Sequence, residues 1–360
     1  MKELEELLKK MVEASASDLH IRTGMHPVMR IYGVLTQVKE YMFAHEAVEQ
    51  IVKKIMTAKQ QKVFYRTGEC DLSYSESGTG RFRCNVYRQR GSISIVMRNV
   101  PTAIPEFSTL NLPPSVKKIA DNQRGLVLVT GTTGSGKSTT LAAMIDHINS
   151  TRGVNIITIE DPIEFLHRDK MSIISQRELG FDTMSFNDAL KNVVRQDPDV
   201  ILIGEMRDNE TMVAAITAAQ TGHLVFSTVH TTSALQTVSR IVDMFPPHQQ
   251  NQIRLQLADT LKGVISQRLL PKVKGGRVPA VEILIVTEYV KKCIEQNTAS
   301  EILQTIKQGS YYGMQTFNQS LLNLHNAGLV SVEDALAAAT NPEELMMNIR
   351  GISSDSGSAA

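Results

Sequence analysis

The chain has 360 residues, 42% apolar and 21% charged, a length that exceeds what one core usually organises and a composition that excludes a disordered segment. Lys and Arg total 38 against 37 Asp and Glu, a formal charge of +1 with no long basic run, which excludes a global electrostatic hold on nucleic acid or anionic lipid. Cys70, Cys84 and Cys293 are far apart and odd in number, which excludes a Cys-x-x-Cys metal knuckle and a paired disulfide framework and fits a reducing compartment.

In chain order, the N-terminal MKELEELLKKMVEAS lacks the uninterrupted apolar stretch of a signal peptide, and no segment approaches the ~20 apolar residues that cross a bilayer. A cytoplasmic protein without direct membrane insertion is expected. Leu4, Leu7, Leu8 and Met11 recur at i, i+3, i+4, i+7, the stripe of an amphipathic helix. From about 18 to 98 the pattern turns to short β-type runs, DLHIR, VMRIYGVL, GRFRCNVYRQR and SISIVMR, with one helical stretch near 45–62, which predicts a small α+β domain over 1–100. Within GRFRCNVYRQR, Arg81 and Arg83 alternate with Phe82 and Cys84, so a strand places both cations on one face. A solvated face and a pair of arginine fingers both fit that pattern. Pro101, Pro105, Pro113 and Pro114 come next; each blocks backbone hydrogen bonding and restrains its predecessor, as expected of a linker over 101–114.

From residue 124 continuous apolar strands alternate with helical segments: GLVLVT (125–130), NIITI (155–159), DVILIG (199–204) and LVFSTV (224–229). That is the pattern of a parallel sheet with crossover helices. An α/β domain is expected over 115–350, turning largely helical after about 245. The last ten residues, GISSDSGSAA, offer a core almost nothing, so 351–360 is expected to be a disordered tail.

The stretch GTTGSGKS at 131–138 fits G-x-x-x-x-G-K-[ST]. Chance matches occur in roughly one sequence per hundred, so context must decide. The apolar LVLVT runs in and the helical TTLAAMIDHI runs out, the strand-loop-helix setting that a phosphate loop requires. Gly131, Gly134 and Gly136, with Thr132, Thr133 and Ser135 between them, let backbone N–H groups turn onto a phosphate at a helix N-terminus. Lys137 neutralises β- and γ-oxygens, Ser138 offers its hydroxyl to Mg²⁺, and Thr139 is next in the first turn. ATP and Mg²⁺ are therefore the expected ligands. A second strand must deliver acid to the metal, and DVILIGEMRD ends its apolar run on Glu205. Glu160, Asp161 and Glu164 cluster in EDPIEF after NIITI, at a carboxyl end of the sheet, where open α/β folds bind ligands. One of them could polarise the attacking water, or cap a helix, or pair with Arg. His230 ends LVFSTV, a position that suits catalysis or sensing of the γ-phosphate.

In this order, GTTGSGKST, IITIEDPIE, ILIGEMRD and TGHLVFSTVHT resemble the Walker A, Asp box, Walker B and His box of the secretion ATPase superfamily. SASDLHIR and the ISQRLLP of 265–271 extend the resemblance over most of the chain, towards the pilus-retraction members. The resemblance implies an N-terminal PAS-like domain, a RecA-like ATPase domain with a helical C-terminal region, and a homohexameric ring with nucleotide at its subunit interfaces. By motif, Glu164 becomes the general base, Glu205 the acid that acts through Mg²⁺ and its waters, and His230 the His-box residue, while Arg81 and Arg83 reach nucleotide held by another subunit. The implied function is an ATP-hydrolysing motor for type IV pilus retraction and twitching motility. It would act on an inner-membrane platform protein of the PilC type at the inner face of the cytoplasmic membrane.

Extension and secretion members carry a longer N-terminal region and a four-cysteine zinc insertion, and three scattered cysteines cannot form one. One departure is visible: where retraction motors carry an AIRNLIR-like segment, this chain reads ASEILQTIKQGSYYGMQTF. A RecA-like nucleic-acid translocase is the rival reading. It would show a basic, aromatic-bearing surface, whereas aromatics are 5%, Trp is absent and charge is balanced.

Overall fold

The structure, a computed structural model, describes residues 2–101 and 103–352; the expected tail lies, from 353 on, outside them. Two compact units divide the chain. Of the described residues, one comprises those up to 103 together with 162–166, the other 104–161 and 167–352.

The N-terminal unit is an antiparallel sheet covered on one face by helices. Its elements are α1 (Lys2–Glu13), β1 (Ala16–Arg22), β2 (Val28–Ile31), β3 (Val34–Gln37), α2 (His45–Ile55), α3 (Ala58–Thr67), β4 (Glu69–Glu76), β5 (Gly80–Gln89) and β6 (Ser92–Val100). The strand order is β3-β2-β1-β6-β5-β4. The α1 stripe of Leu4, Leu7, Leu8 and Met11 is fully buried, in one cluster with Leu19, Phe82, Cys84, Ile95 and Met97 of the sheet. Each such aliphatic contributes roughly 1.5–3 kcal/mol by leaving water. The helical stretch expected at 45–62 is two helices, because Thr57 breaks it: its side chain accepts from the Gln60 N–H, and Gln60 reaches back to the Thr57 N–H, a capping box that starts α3.

The second unit is built on a mostly parallel sheet: β7 (Gly125–Thr130), β8 (Asn155–Glu160), β9 (Ile173–Glu178), β10 (Val200–Ile203), β11 (Leu224–Val229), β12 (Leu261–Pro271) and β13 (Arg277–Ile285), in the order β13-β12-β7-β11-β10-β8-β9. Helices cover both faces: α4 (Pro114–Ala120), α5 (Lys137–Thr151), α6 (Phe186–Val193), α7 (Asn209–Gln220), α8 (Ala234–Asp243) and α9 (Pro247–Thr260). Along β7, Leu126 and Leu128 belong to one core cluster and Val127 and Val129 to another. This is the burial on both sides that a continuous apolar strand predicts. The expected linker 101–114 is not plain connector throughout, since Phe107–Leu110 forms a 3-10 turn and Pro114 opens α4.

The helical C-terminal region is present as α10 (Glu288–Gln296), α11 (Ala299–Gln308), α12 (Phe317–Asn326), α13 (Val332–Ala338) and α14 (Pro342–Ile349). Ahead of it, however, the chain after 245 also holds the antiparallel hairpin β12–β13. Its apolar runs cannot be told from buried helix by periodicity. The Gly275–Gly276 pair, at φ 85° and 79°, makes the tight turn that glycine alone takes cheaply.

Candidate active site

Four parallel strands, β7, β11, β10 and β8, end in register along one edge of the sheet: Thr130 pairs with Val229, Ser227 with Ile203, and Ile203 with Ile159. The loops that leave these strands therefore meet at that edge. Gly131 leaves β7 at φ 144°, and a Cβ there would stand 2.5 Å from both the Gln267 carbonyl oxygen and Ser135 Oγ. No side chain fits. Gly136, at φ 91°, is the N-cap of α5, so the first N–H groups of the helix open into the loop with the positive end of its dipole behind them. The Lys137 ammonium is buried and donates to the Gly131 and Thr132 carbonyls at 2.9 and 3.0 Å. Its charge is thus held inside the loop. Ser138 and Thr139 are half-buried in the first turn.

Beyond β10 the backbone is pinned to both neighbours. Gly204 N–H donates to the Ile159 carbonyl at 2.8 Å, Met206 N–H to that of Thr228 at 3.1 Å, and Thr228 Oγ1 to that of Gly204 at 2.7 Å. Glu205 is fixed by these bonds with 13% of its side chain exposed, and it meets Arg207 Nε at 2.6 Å and His230 Nε2 at 3.5 Å. Glu160 accepts from Thr158 Oγ1 at 2.7 Å and Gln176 Nε2 at 3.1 Å, while Asp161 is exposed. Asp208 of the same GEMRD stretch caps α7 through the Thr211 N–H at 2.8 Å, which makes it structural.

Glu205 and His230, expected at strand ends, are thus brought together, and Glu160 lies one strand away. Arg81, Arg83 and Glu164 belong to the other unit. Arg81 is half-buried and Arg83 exposed, alternating with buried Phe82 and Cys84. Glu164 is exposed within 162–166, the five residues that group with the N-terminal unit. Of the other arginines near that strand, Arg88 stacks 5.5 Å over Phe64, a packing role. Arg90 occupies a turn at φ 48°.

Three residues near the sheet edge went unnoticed in the sequence. Arg207 could have been found two places after Glu205. Gln267 and Glu282 carry no local signal. Glu282 on β13 is 5% exposed and accepts from the Ala234 N–H at 2.8 Å, holding the start of α8 just beyond His230. Burial raises its carboxyl above the ordinary range, against the opposing pull of that hydrogen bond and of Arg268.

The family described as "Type II/IV secretion system protein" matches residues 1–337. The chain belongs to that family. It is 43% identical over 341 residues to the type IV pilus retractation ATPase PilT of Pseudomonas aeruginosa, covering 95% of this chain and 99% of that relative. It is 45% identical over 320 residues to a twitching motility protein of Neisseria gonorrhoeae, covering 89% and 86%. The crystal structure of the pilus retraction motor PilT with bound ADP superposes with a TM-score of 0.87 at 45% identity, over 95% of this chain and 98% of that one. This family member is an α/β ATPase that binds nucleotide.

Proposed function

We propose that this ATPase is the motor that retracts type IV pili and drives twitching motility. The observation that carries this reading is the near end-to-end likeness to the Pseudomonas aeruginosa retraction ATPase, 95% of one chain on 99% of the other. A shared nucleotide domain alone would fit many activities.

In this reading six copies form a ring, with nucleotide held by the loop of one copy, from Gly131 to Thr139, against a neighbouring copy. Arg81 and Arg83 of that neighbour reach the phosphates, as a pair of cations on one strand face can. Glu164 polarises the attacking water. Lys137 leaves the loop carbonyls for the β- and γ-oxygens, and His230 reports the γ-phosphate. Glu160 and Asp161 hold the far side of the site.

The donor set fits Mg²⁺, which takes one or two protein oxygens and keeps its waters: a hydroxyl at Ser138, with the Glu205 carboxylate reaching the ion through water. When bound, the ion would offset the charge of the transferring phosphoryl group. Among the described residues no helix is long and apolar enough to cross a membrane, which suits a motor working at the inner face of the cytoplasmic membrane on a PilC-type platform protein. The switch from bound to released γ-phosphate then becomes rigid-body motion.

Deleting the gene and rescuing with wild type or Lys137→Ala, with pili watched by fluorescence, tests the reading. Wild type restores retraction; Lys137→Ala leaves pili that extend and stay out. Retraction at normal frequency with Lys137→Ala would overturn it.

A further inference from the structure

On the far side of β7 from His230, β12 carries a buried amide. Ser266 is the last residue of β12 paired with β7, opposite Thr130, and the Thr130 hydroxyl donates to Ser266 Oγ at 2.8 Å. The next residue, Gln267, therefore stands level with the first residue of the phosphate loop. Its backbone oxygen crowds Gly131, and its side-chain Nε2 lies 3.4 Å from where a Cβ on Gly136 would be. Ile265, two residues earlier on the same strand face, packs in the cluster that holds α5, so Gln267 runs along the loop at the mouth of that helix.

Gln267 is only 3% exposed, yet its Oε1 has no hydrogen-bond partner among the described residues. Ser135, in the loop itself and also 3% exposed, has an equally unpartnered Oγ, which would touch a Cβ on Gly131. Two buried polar side chains without partners at one loop are costly, each by about 1–3 kcal/mol. An assigned amide orientation does not change this, since turning the group over exchanges O for N at the same place.

The loop's own arrangement says what they are for. Two carbonyls, Gly131 and Thr132, are satisfied by the Lys137 ammonium. A phosphate competes for that same ammonium, and once Lys137 turns to phosphate oxygens the Gly131 carbonyl needs another donor, while that of Thr132 keeps the Ser135 N–H at 3.2 Å. Ser135 O–H and the Gln267 amide are buried beside the loop with donors to give.

We propose that Gln267 is a positioning residue of the nucleotide site. It pairs with the phosphate loop in the nucleotide-bound arrangement and so selects that arrangement, without touching the reacting atoms. The inference rests on the nucleotide assignment of this loop and adds to it a residue that no Walker, Asp-box or His-box motif contains.

The test uses the full chain and Gln267→Met, which keeps length and volume and removes the amide. Three quantities are read: melting temperature without nucleotide, affinity for ADP by titration, and the ATPase kcat and KM. The expected result is an unchanged or higher Tm without nucleotide, ADP affinity and KM weakened about tenfold, the loss of one net hydrogen bond, and kcat within about twofold. Gln267→Asn, with the amide one carbon shorter, should recover part of the affinity. Unchanged ADP affinity in Gln267→Met, or a loss of affinity matched by a fall in nucleotide-free Tm and no recovery with Asn, overturns the proposal. Lys137→Ala runs alongside: if it too leaves ADP affinity unchanged, the nucleotide assignment itself has failed.

Discussion

On the β11 side of β7 the sheet edge carries charge: Glu205 sits between Arg207 at 2.6 Å and His230 at 3.5 Å. On the β12 side the residues level with the loop are neutral and under-paired, Ser266 bonded to Thr130 but Gln267 Oε1 and Ser135 Oγ left without partners among the described residues. On the proposed function, the contrast matches a separate task for each side. Charge that develops during phosphoryl transfer is met by preorganised charge and dipole, whereas the shape of a glycine loop is set by contacts and neutral hydrogen bonds. Damage on the β11 side should therefore appear in kcat, and damage on the β12 side in nucleotide affinity.

The largest effect should come from forcing the two sides together at the loop. In Gly131→Ala the new Cβ meets the Gln267 backbone oxygen at 2.5 Å at φ 144°, which neither partner can relieve. ATPase activity and ADP binding should both fall by at least about 100-fold. The matched control Gly134→Ala, with nothing within 4 Å and φ 80°, should cost only about tenfold. Equal effects in steady-state assays would dissolve the steric argument. Next in size, Glu205→Gln keeps shape and removes charge; kcat should drop about 100-fold while ADP affinity stays near wild type. A tenfold loss of ADP affinity there would break the division between the two sides.

Arg207→Ala should be milder. The arginine side chain is 72% exposed, and exposed pairs contribute about 0–1 kcal/mol, so a decrease in kcat of about threefold is expected, with KM unmoved. The smallest effect concerns Glu282. Its carboxyl is raised in the folded protein, so the folded state binds that proton more tightly than the unfolded chain does. Wild type should lose stability, relative to Glu282→Gln, as pH rises from the ordinary carboxylate range through the raised value. A Tm difference of about 2 °C that grows across that window is the expected scan; a difference independent of pH would remove Glu282's ionisation from the balance.

Much of the local structure around the candidate residues was legible because its signals are local. A phosphate loop is eight consecutive residues between a strand and a helix, and the alternation of Arg81 and Arg83 with Phe82 and Cys84 needs only the period of a strand. The α1 stripe likewise packs as its spacing implies. The hairpin β12–β13 was hidden because a strand buried on both faces has no alternation to betray it. Gln267 was hidden for a different reason: its meaning depends on β12, far along the chain, lying against β7, and nothing in SQRLL states that neighbour. Glu282 reads as an ordinary acid until its burial at the start of α8 is seen.

By itself, then, the sequence determined the local chemistry: a glycine loop around Lys137, acids and a histidine at strand ends, and the alternation of strand with helix, all set by backbone conformations and spacings of a few residues. Only the tertiary structure decided which strand lies on each side of β7. That choice places Glu205 against His230 on one side and Gln267 against Gly131 and Gly136 on the other. Parallel pairing joins residues far apart in the chain, and its register is settled by burial on two faces at once, which no short window of sequence contains.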